Sequence, residues 1–193
     1  MLVKTLQEVP DDIFNPALEE INQINWSEVQ DPSRSGRAAF ATSTSIHVRR
    51  HAVGNRPYPT SIKEWSMICE CEDNPQYAGR FDSVRKLADW MFDTVQGRAL
   101  GRIMIVNLAP RGQVPIHVDP YDYFAMYSRF HVPFKTNPMV TFSGGFGTPT
   151  EHMPYQHLSQ LNNRLPHQLD NTSNENRIHV IVDIALEGGN QIF

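Results

Sequence analysis

RIHVIVDIAL, residues 177–186, is the stretch that best predicts the fold. In a β-strand, successive side chains point to opposite faces, so every second residue shares a face. One face would be continuously apolar, with Ile178, Val180, Val182, Ile184 and Leu186. The other face would carry Arg177, His179, Ile181 and Asp183. This pattern predicts a strand that packs on a core with one side and lines the interior of a barrel with the other.

More β-rich runs precede this strand from residue 100 onward: LGRIMIVNL, VPIHVD, YFAMYSRFHVPF and PMVTFSG. Turn-forming segments rich in Gly, Pro, Asn and Asp separate them, and none of the runs has a convincing helical length. Alternation predicts a single strand across residues 121–134, with Arg129 and His131 on one face. Many short strands at close spacing are typical of a sandwich or a jelly-roll barrel.

Two helices are predicted in the N-terminal half of the chain. The helix over residues 15–24 has Asn15 as its cap and Pro16 at its first position. The helix over residues 81–95 has apolar residues at helical spacing and Asp82 as its cap.

The segment between these helices, residues 37–53, is rich in Thr, Val and Ile and is predicted to be extended. We therefore predict a mainly β protein with N-terminal helices (α+β), in which residues 1–193 form a single domain. Residues 1–99 would form a helical and extended support layer, and residues 100–193 would form the β core.

The composition is that of an ordinary globular protein, with 40% hydrophobic and 20% charged residues among 193. A net charge of -4 gives no general reason to expect a nucleic-acid or acidic-lipid partner. No segment approaches the roughly 18 apolar residues of a membrane helix, and the N-terminus lacks the apolar core of a secretion signal. Cys69 and Cys71 make no disulfide framework, so we expect reduced thiols and a cytoplasmic protein. No feature predicts an oligomeric state.

A histidine and an aspartate lie two residues apart in IHVDP, residues 116–120. In a strand, His117 and Asp119 would share one face, about 6.6 Å apart along the chain. They could form a salt bridge or supply two of the three ligands of a metal. With His167 from a later strand they would make a facial triad, which holds Fe(II) and leaves coordination positions open.

Two predicted strands each carry an arginine followed two residues later by a histidine. These pairs are Arg129 with His131 and Arg177 with His179. Because guanidinium makes forked, charge-assisted hydrogen bonds to carboxylates, such a set of side chains can hold an organic dicarboxylate.

Three segments together resemble a known family: LAPRGQVPIHVD, SRFHVPF and NNRLPHQLDNTSNENRIHVIVD. They are similar to the Fe(II)/2-oxoglutarate-dependent oxygenases, specifically the aspartyl/asparaginyl β-hydroxylase-like branch. The similarity extends from about residue 100 to residue 187.

The resemblance implies a double-stranded β-helix, a cupin-like jelly roll, with metal ligands matching His117, Asp119 and His167. It implies that Arg177 anchors the distal carboxylate of 2-oxoglutarate. It further implies cosubstrate contacts and a turn asparagine, which match Arg129, His131 and Asn171. The implied reaction uses Fe(II), 2-oxoglutarate and O₂ to hydroxylate an aspartyl or asparaginyl side chain or a small amino acid, with release of succinate and CO₂.

The substrate and two alternative functions stay open. Some members of the branch have Gly in place of the carboxylate ligand, whereas this chain has Asp119, as free-amino-acid hydroxylases such as proline hydroxylases do. A non-catalytic β-helix module for binding or assembly is the main alternative, and the presence of all three candidate ligands argues against it. A cupin-type metal enzyme that does not use 2-oxoglutarate is a third reading, and Arg177 at its spacing argues against that one.

Overall fold

The computed structural model describes residues 1–30, 41–52, 64, 68–119 and 121–187. The β-strands are β1 (Val3–Glu8), β2 (Ser43–His51), β3 (Cys71–Asp73), β4 (Gly97–Leu108), β5 (Gln113–His117), β6 (Ser128–Lys135), β7 (Val140–Ser143), β8 (His157–Leu161), β9 (His167–Asn171) and β10 (Arg177–Leu186). The helices are α1 (Asp11–Asn22), α2 (Asp82–Thr94) and α3 (Tyr121–Met126), and short 3-10 turns occupy Trp26–Glu28 and Pro75–Tyr77. None of the helices in these ranges is long and apolar enough to cross a membrane.

The strands form two antiparallel sheets. The larger sheet has the order β1-β8-β6-β10-β4-β2-β3, and the smaller has the order β5-β9-β7. Strands that are neighbours in the larger sheet are often distant in sequence; for example, β10 lies between β6 and β4. The prediction of a mainly β, jelly-roll fold with N-terminal helices is confirmed.

The larger sheet includes strands from both sides of residue 99. β1 pairs with β8, and β2 pairs with β4, so the N-terminal segment supplies strands as well as helices. The extended prediction for residues 37–53 is confirmed over Ser43–His51, while residues 31–40 and 53 lie outside the described part of the chain. The division into one domain with a support layer stays a prediction.

The two long helices cover one face of the larger sheet. The predicted amphipathic face of α2 is buried, with Val84, Leu87, Ala88 and Met91 in the main hydrophobic core. Sheet residues such as Ile105 and Val180 belong to the same core. This core supports the sheet from behind and leaves its other face toward the smaller sheet.

Both helix starts differ from the predicted ones. α1 begins at Asp11 rather than Asn15, and its earlier start includes Phe14, which is fully buried and stacks on Phe134 with ring centroids 4.4 Å apart. Pro16 consequently lies inside the helix.

α2 is not capped by Asp82, which is its first helical residue. Its free amide groups are bonded instead by α1, since the Glu20 carboxylate accepts from Ser83 N at 2.9 Å and from Val84 N at 3.2 Å. A cap supplied by another helix leaves no local sequence signal, which is why the prediction chose the wrong residue.

The prediction of one strand across residues 121–134 is wrong in its first part. The chain forms α3 before β6 begins at Ser128. Tyr127 N donates to Tyr123 O at 3.0 Å, and the two rings stack at 4.5 Å, which is contact at helical spacing. Aromatic residues here fit both periods, and in the helix the Tyr123 side chain is fully buried.

The alternation predicted for the last strand is confirmed. Val180, Val182 and Ile184 pack in the core beneath the helices. On the opposite face, the Arg177 guanidinium carbon lies 5.8 Å from the ring centroid of Phe142, a residue of β7 in the smaller sheet. The polar face of β10 therefore looks into the space between the two sheets.

Candidate metal centre

Three predicted ligand residues come together at one end of the smaller sheet. His117 ends β5 and lies opposite His167, the first residue of β9. Their ring centroids are 4.3 Å apart. One ligand atom from each of His117, Asp119 and His167 can be chosen so that all lie within 4.8 Å of one another. Two imidazoles and a carboxylate at this spacing can hold one metal ion from one side.

Asp119 reaches this group from outside the strand. β5 ends at His117, and the chain then turns so that Asp119 N donates to Asn163 O at 3.3 Å. Asp119 Oδ1 lies 3.8 Å from His117 Nε2. The prediction that a shared strand face brings the two side chains together is therefore wrong in its geometry, although the two groups are close.

Both histidines of the group are held in the same way. The Nδ1 of His117 donates to Pro115 O at 2.8 Å, and the Nδ1 of His167 donates to Leu165 O at 2.9 Å. A hydrogen bond at Nδ1 fixes the tautomer and leaves the Nε2 lone pair for a metal. Burial lowers the pKa of His167, which favours the neutral imidazole that metal binding needs.

Asp119 has different partners for its two carboxylate oxygens. Its Oδ2 accepts from Arg129 Nη1 at 2.6 Å, while Oδ1 faces His117. Arg129 Nε also donates to Asp183 Oδ1 at 2.9 Å. The predicted pair of Arg129 with a cosubstrate therefore competes with two carboxylates of the protein itself.

Asp183 is fully buried and binds two arginines. Arg102 Nε donates to its Oδ2 at 2.9 Å, and Tyr123 Oη donates to the same oxygen at 3.2 Å. Burial by itself would raise the pKa of Asp183, but Arg129 and Arg102 outweigh burial and hold that pKa well below its usual range. Asp183 is therefore ionised near neutral pH.

A second buried polar group lies farther along the inner face of β10. Arg177 Nη2 donates to His179 Nδ1 at 2.7 Å, and His179 Nδ1 lies 3.5 Å from His131 Nδ1. Burial, together with the charge of Arg177, lowers the pKa of both His131 and His179, so both rings are neutral. Within the described residues, His131 Nε2 and His179 Nε2 are buried without a hydrogen-bond partner, which is expected where a bound ligand completes a site.

Asn171 shapes the turn that leads into Arg177. Its Nδ2 donates to Ala109 O at 2.9 Å and to Glu175 O at 2.8 Å, and its Oδ1 accepts from Ser173 Oγ at 2.7 Å. The side chain thereby links the end of β9 to the residue after β4 and to the turn that precedes β10.

One residue of this region was not singled out from the sequence, and a second was placed on the wrong kind of element. Arg102 is the one charged residue in the apolar run LGRIMIVNL, and that isolation was a usable signal. Tyr123 was placed on a strand, so its buried hydroxyl could not be assigned a partner.

Solved structures share this fold at low sequence identity. A 2-oxoglutarate/Fe(II) oxygenase from Burkholderia pseudomallei is 11% identical, with 97% of this chain and 86% of that chain covered and a TM-score of 0.56. A prolyl hydroxylase from Trichoplax adhaerens, solved with a peptide of the hypoxia inducible factor, is 8% identical, with 96% and 84% covered and a TM-score of 0.62. HygX from Streptomyces hygroscopicus, solved with nickel, 2-oxoglutarate and hygromycin B, is 11% identical, with 96% and 83% covered and a TM-score of 0.54.

The jelly-roll fold of this chain is thus the fold of solved 2-oxoglutarate/Fe(II) oxygenases. The sequence profile of the aspartyl/asparaginyl β-hydroxylases matches residues 64–186, and the chain belongs to that family. No curated protein sequence matches the chain significantly. The prediction of a 2-oxoglutarate-dependent Fe(II) oxygenase, with Fe(II), 2-oxoglutarate and O₂ as cofactor and cosubstrates, is confirmed at the level of the family.

Proposed function

We propose that this oxygenase hydroxylates an aspartyl or asparaginyl side chain or a small amino acid, with the metal held by His117, Asp119 and His167. The observation that carries the proposal is the approach of these three donors to within 4.8 Å of one another. Iron bound there would supply O₂ activation, with one oxygen atom of O₂ entering succinate as 2-oxoglutarate loses CO₂ and the other converting a C–H bond of the substrate to C–OH.

The donor set fits Fe(II). Two imidazoles present Nε2, because their Nδ1 atoms are bonded to carbonyl groups. One carboxylate oxygen of Asp119 faces them. A facial set of this kind leaves the positions that a chelating cosubstrate and O₂ require.

We propose that Arg177 and His131 hold 2-oxoglutarate. Arg177 is buried on the inner face of β10, and its guanidinium offers forked donors that match a carboxylate. His131 Nε2, which lacks a partner among the described side chains, would meet the same ligand. A direct cosubstrate contact of Arg129 is less favoured, because Asp119 and Asp183 already take two of its nitrogen donors.

The identity of the substrate is part of this proposal. Three large apolar side chains close in sequence to the ligand residues are exposed: Ile116 and Val118 on either side of His117, and Leu165 two residues before His167. They would flank a substrate that approaches the metal from solvent. The Trichoplax prolyl hydroxylase was solved in complex with a peptide, and a carboxylate ligand such as Asp119 is implied for free-amino-acid hydroxylases, so both substrate types are to be tested. A cytoplasmic setting, supported by the free thiols of Cys69 and Cys71, belongs to the same proposal.

The metal assignment is tested by anaerobic addition of Fe(II) and 2-oxoglutarate, which should produce a weak visible charge-transfer band. A His167→Ala protein should lose the band. His157→Ala is a matched control, because His157 Nδ1 makes the same bond to a carbonyl two residues earlier, Tyr155 O at 2.8 Å, outside the cluster. An unchanged band in His167→Ala would refute the ligand assignment.

The substrate is tested by succinate release. Candidate free amino acids and Asp- or Asn-containing peptides are incubated with the protein, Fe(II), 2-oxoglutarate and air. A true substrate raises succinate above the background rate and gains one oxygen atom, which mass spectrometry locates. Succinate release that no candidate stimulates would contradict the proposed substrate classes.

A further inference from the structure

Four charged side chains form a continuous row of ion pairs between the interior of the larger sheet and the proposed metal site. Arg102 contacts Asp183 with Nη2 at 2.8 Å from Oδ2. Asp183 contacts Arg129 at 2.9 Å, and Arg129 contacts Asp119 at 2.6 Å. Two positive and two negative charges alternate, so these four side chains together carry no net charge.

Each of these four side chains is largely buried. The exposed fractions of the side chains are 1% for Asp183, 9% for Asp119, 11% for Arg129 and 13% for Arg102. Charge–charge contacts are screened little when buried, so each guanidinium is held firmly by its carboxylates. The Phe124 ring adds a second restraint, because the guanidinium carbons of Arg129 and Arg102 lie 4.8 and 5.1 Å from its centroid.

The arrangement decides how Asp119 can bind a metal. Arg129 Nη1 occupies Oδ2 of the carboxylate, and Oδ1 is left facing the imidazole of His117. A carboxylate held in this way presents one oxygen to the metal in a set orientation. Without the guanidinium, the side chain could rotate or offer both oxygens.

We propose that Arg129 is a positioning residue that orients Asp119 for one-oxygen metal coordination, and that Asp183 and Arg102 hold Arg129 in place. The inference rests on the proposed metal site. Arg129 would act on the metal through Asp119 rather than through 2-oxoglutarate. Asp183, which touches none of the three ligand residues, would nevertheless affect metal affinity.

Co(II) binding to the metal-free protein, followed by its visible absorption, measures this role without turnover. Arg129→Gln removes the charge, and we expect its dissociation constant for Co(II) to rise roughly 10–100-fold, as for other residues that support a metal ligand. Arg129→Lys retains the charge but lacks the planar fork that reaches two carboxylates, so its affinity should fall between those of Arg129→Gln and the natural protein. Arg98→Gln, an exposed arginine on the same strand as Arg102, should bind Co(II) normally.

The concentration of 2-oxoglutarate needed for half-maximal succinate release, at saturating Fe(II), separates the two roles of Arg129. A positioning role leaves this value within about threefold of normal in Arg129→Gln. If Arg129→Gln raises the 2-oxoglutarate requirement tenfold or more while Co(II) affinity stays normal, the residue contacts the cosubstrate and the inference is overturned.

Asp183→Asn tests whether Asp183 affects the affinity of the metal site through Arg129. Weaker Co(II) binding is expected, since both arginines lose their shared partner. If this protein does not fold, Arg102→Gln serves instead, because Asp183 then keeps Arg129 alone and a smaller loss of affinity is expected. Normal Co(II) affinity in a folded Asp183→Asn protein, or failing that in a folded Arg102→Gln protein, would overturn the supporting role. If the natural protein itself binds no Co(II), the proposed function fails, which is a distinct outcome.

Discussion

Asp183→Asn should be among the most destabilising single substitutions in this protein. The amide has nearly the same shape as the carboxylate, so packing is conserved and the charge alone is removed. Arg129 retains Asp119 at 2.6 Å, but Arg102 loses the carboxylate it contacts at 2.8 Å. Breaking a buried pair on one side costs roughly 3–5 kcal/mol, and the surviving Asp119 contact puts this case near about 3 kcal/mol.

That loss is large against a total unfolding free energy of about 5–15 kcal/mol. For a chain of 193 residues, it corresponds to a fall in Tm of roughly 6–12 °C. Urea denaturation of the metal-free protein near neutral pH measures the free energy, and a thermal scan measures Tm. Leaving metal out separates folding from metal binding.

Asp73→Asn is the matched control. Asp73 contacts Arg49 at 3.4 Å, but its side chain is 63% exposed, so its loss should cost less than about 1 kcal/mol. If Asp183→Asn costs no more than Asp73→Asn, the buried charges do not depend on one another as the distances imply, and the reasoning is wrong.

Three further predictions follow from buried groups. Burial lowers the pKa of His51 from 6.5 to about 3. The contribution of the neutral imidazole to the free energy of unfolding is therefore fully present above about pH 6.5. As pH falls toward 3, this contribution decreases by about 1.4 kcal/mol per pH unit. A His51→Gln protein should lack that part of the slope in urea denaturation between about pH 6 and pH 4, and an unchanged slope would contradict it. Arg177→Gln should raise the KM for 2-oxoglutarate about 100-fold through loss of charge-assisted hydrogen bonds, with Co(II) affinity unchanged; an equal loss of both would argue against the assignment. Gly101→Ala should cost about 1–3 kcal/mol in thermal denaturation, because its Cβ would lie 2.5 Å from Tyr123 Oη, whereas Gly144→Ala, with its nearest contact at 3.4 Å, should be mild.

Much of the candidate site could be predicted because its parts carry local signals. The inward set of β10 follows from alternation, which is a property of any strand. The grouping of His117 with His167 could not be read from periodicity, since it depends on β5 pairing with β9 across 50 residues of chain. It was accessible through the resemblance of the surrounding motifs.

The part of the site that could not be predicted is the choice of ionic partners. Arg129 was assigned to a cosubstrate, yet its Nε donates to Asp183, 54 residues away in sequence. Arg102 lies 81 residues from the same carboxylate. The local sequence around a charged residue does not indicate which residue of opposite charge will be its ion-pair partner.

The amino-acid sequence by itself determined the strand faces, the amphipathic side of α2, the family and the residue types that can bind iron. These features are set by nearest neighbours along the chain and by short motifs. The tertiary structure alone decided that Tyr121–Met126 is a helix, that Glu20 bonds the start of α2, and that Asp119 shares Arg129 with Asp183. Those outcomes depend on which polar groups are buried next to one another in the folded protein. The free energy of burying and pairing such groups is set by the tertiary packing rather than by any local segment of the sequence.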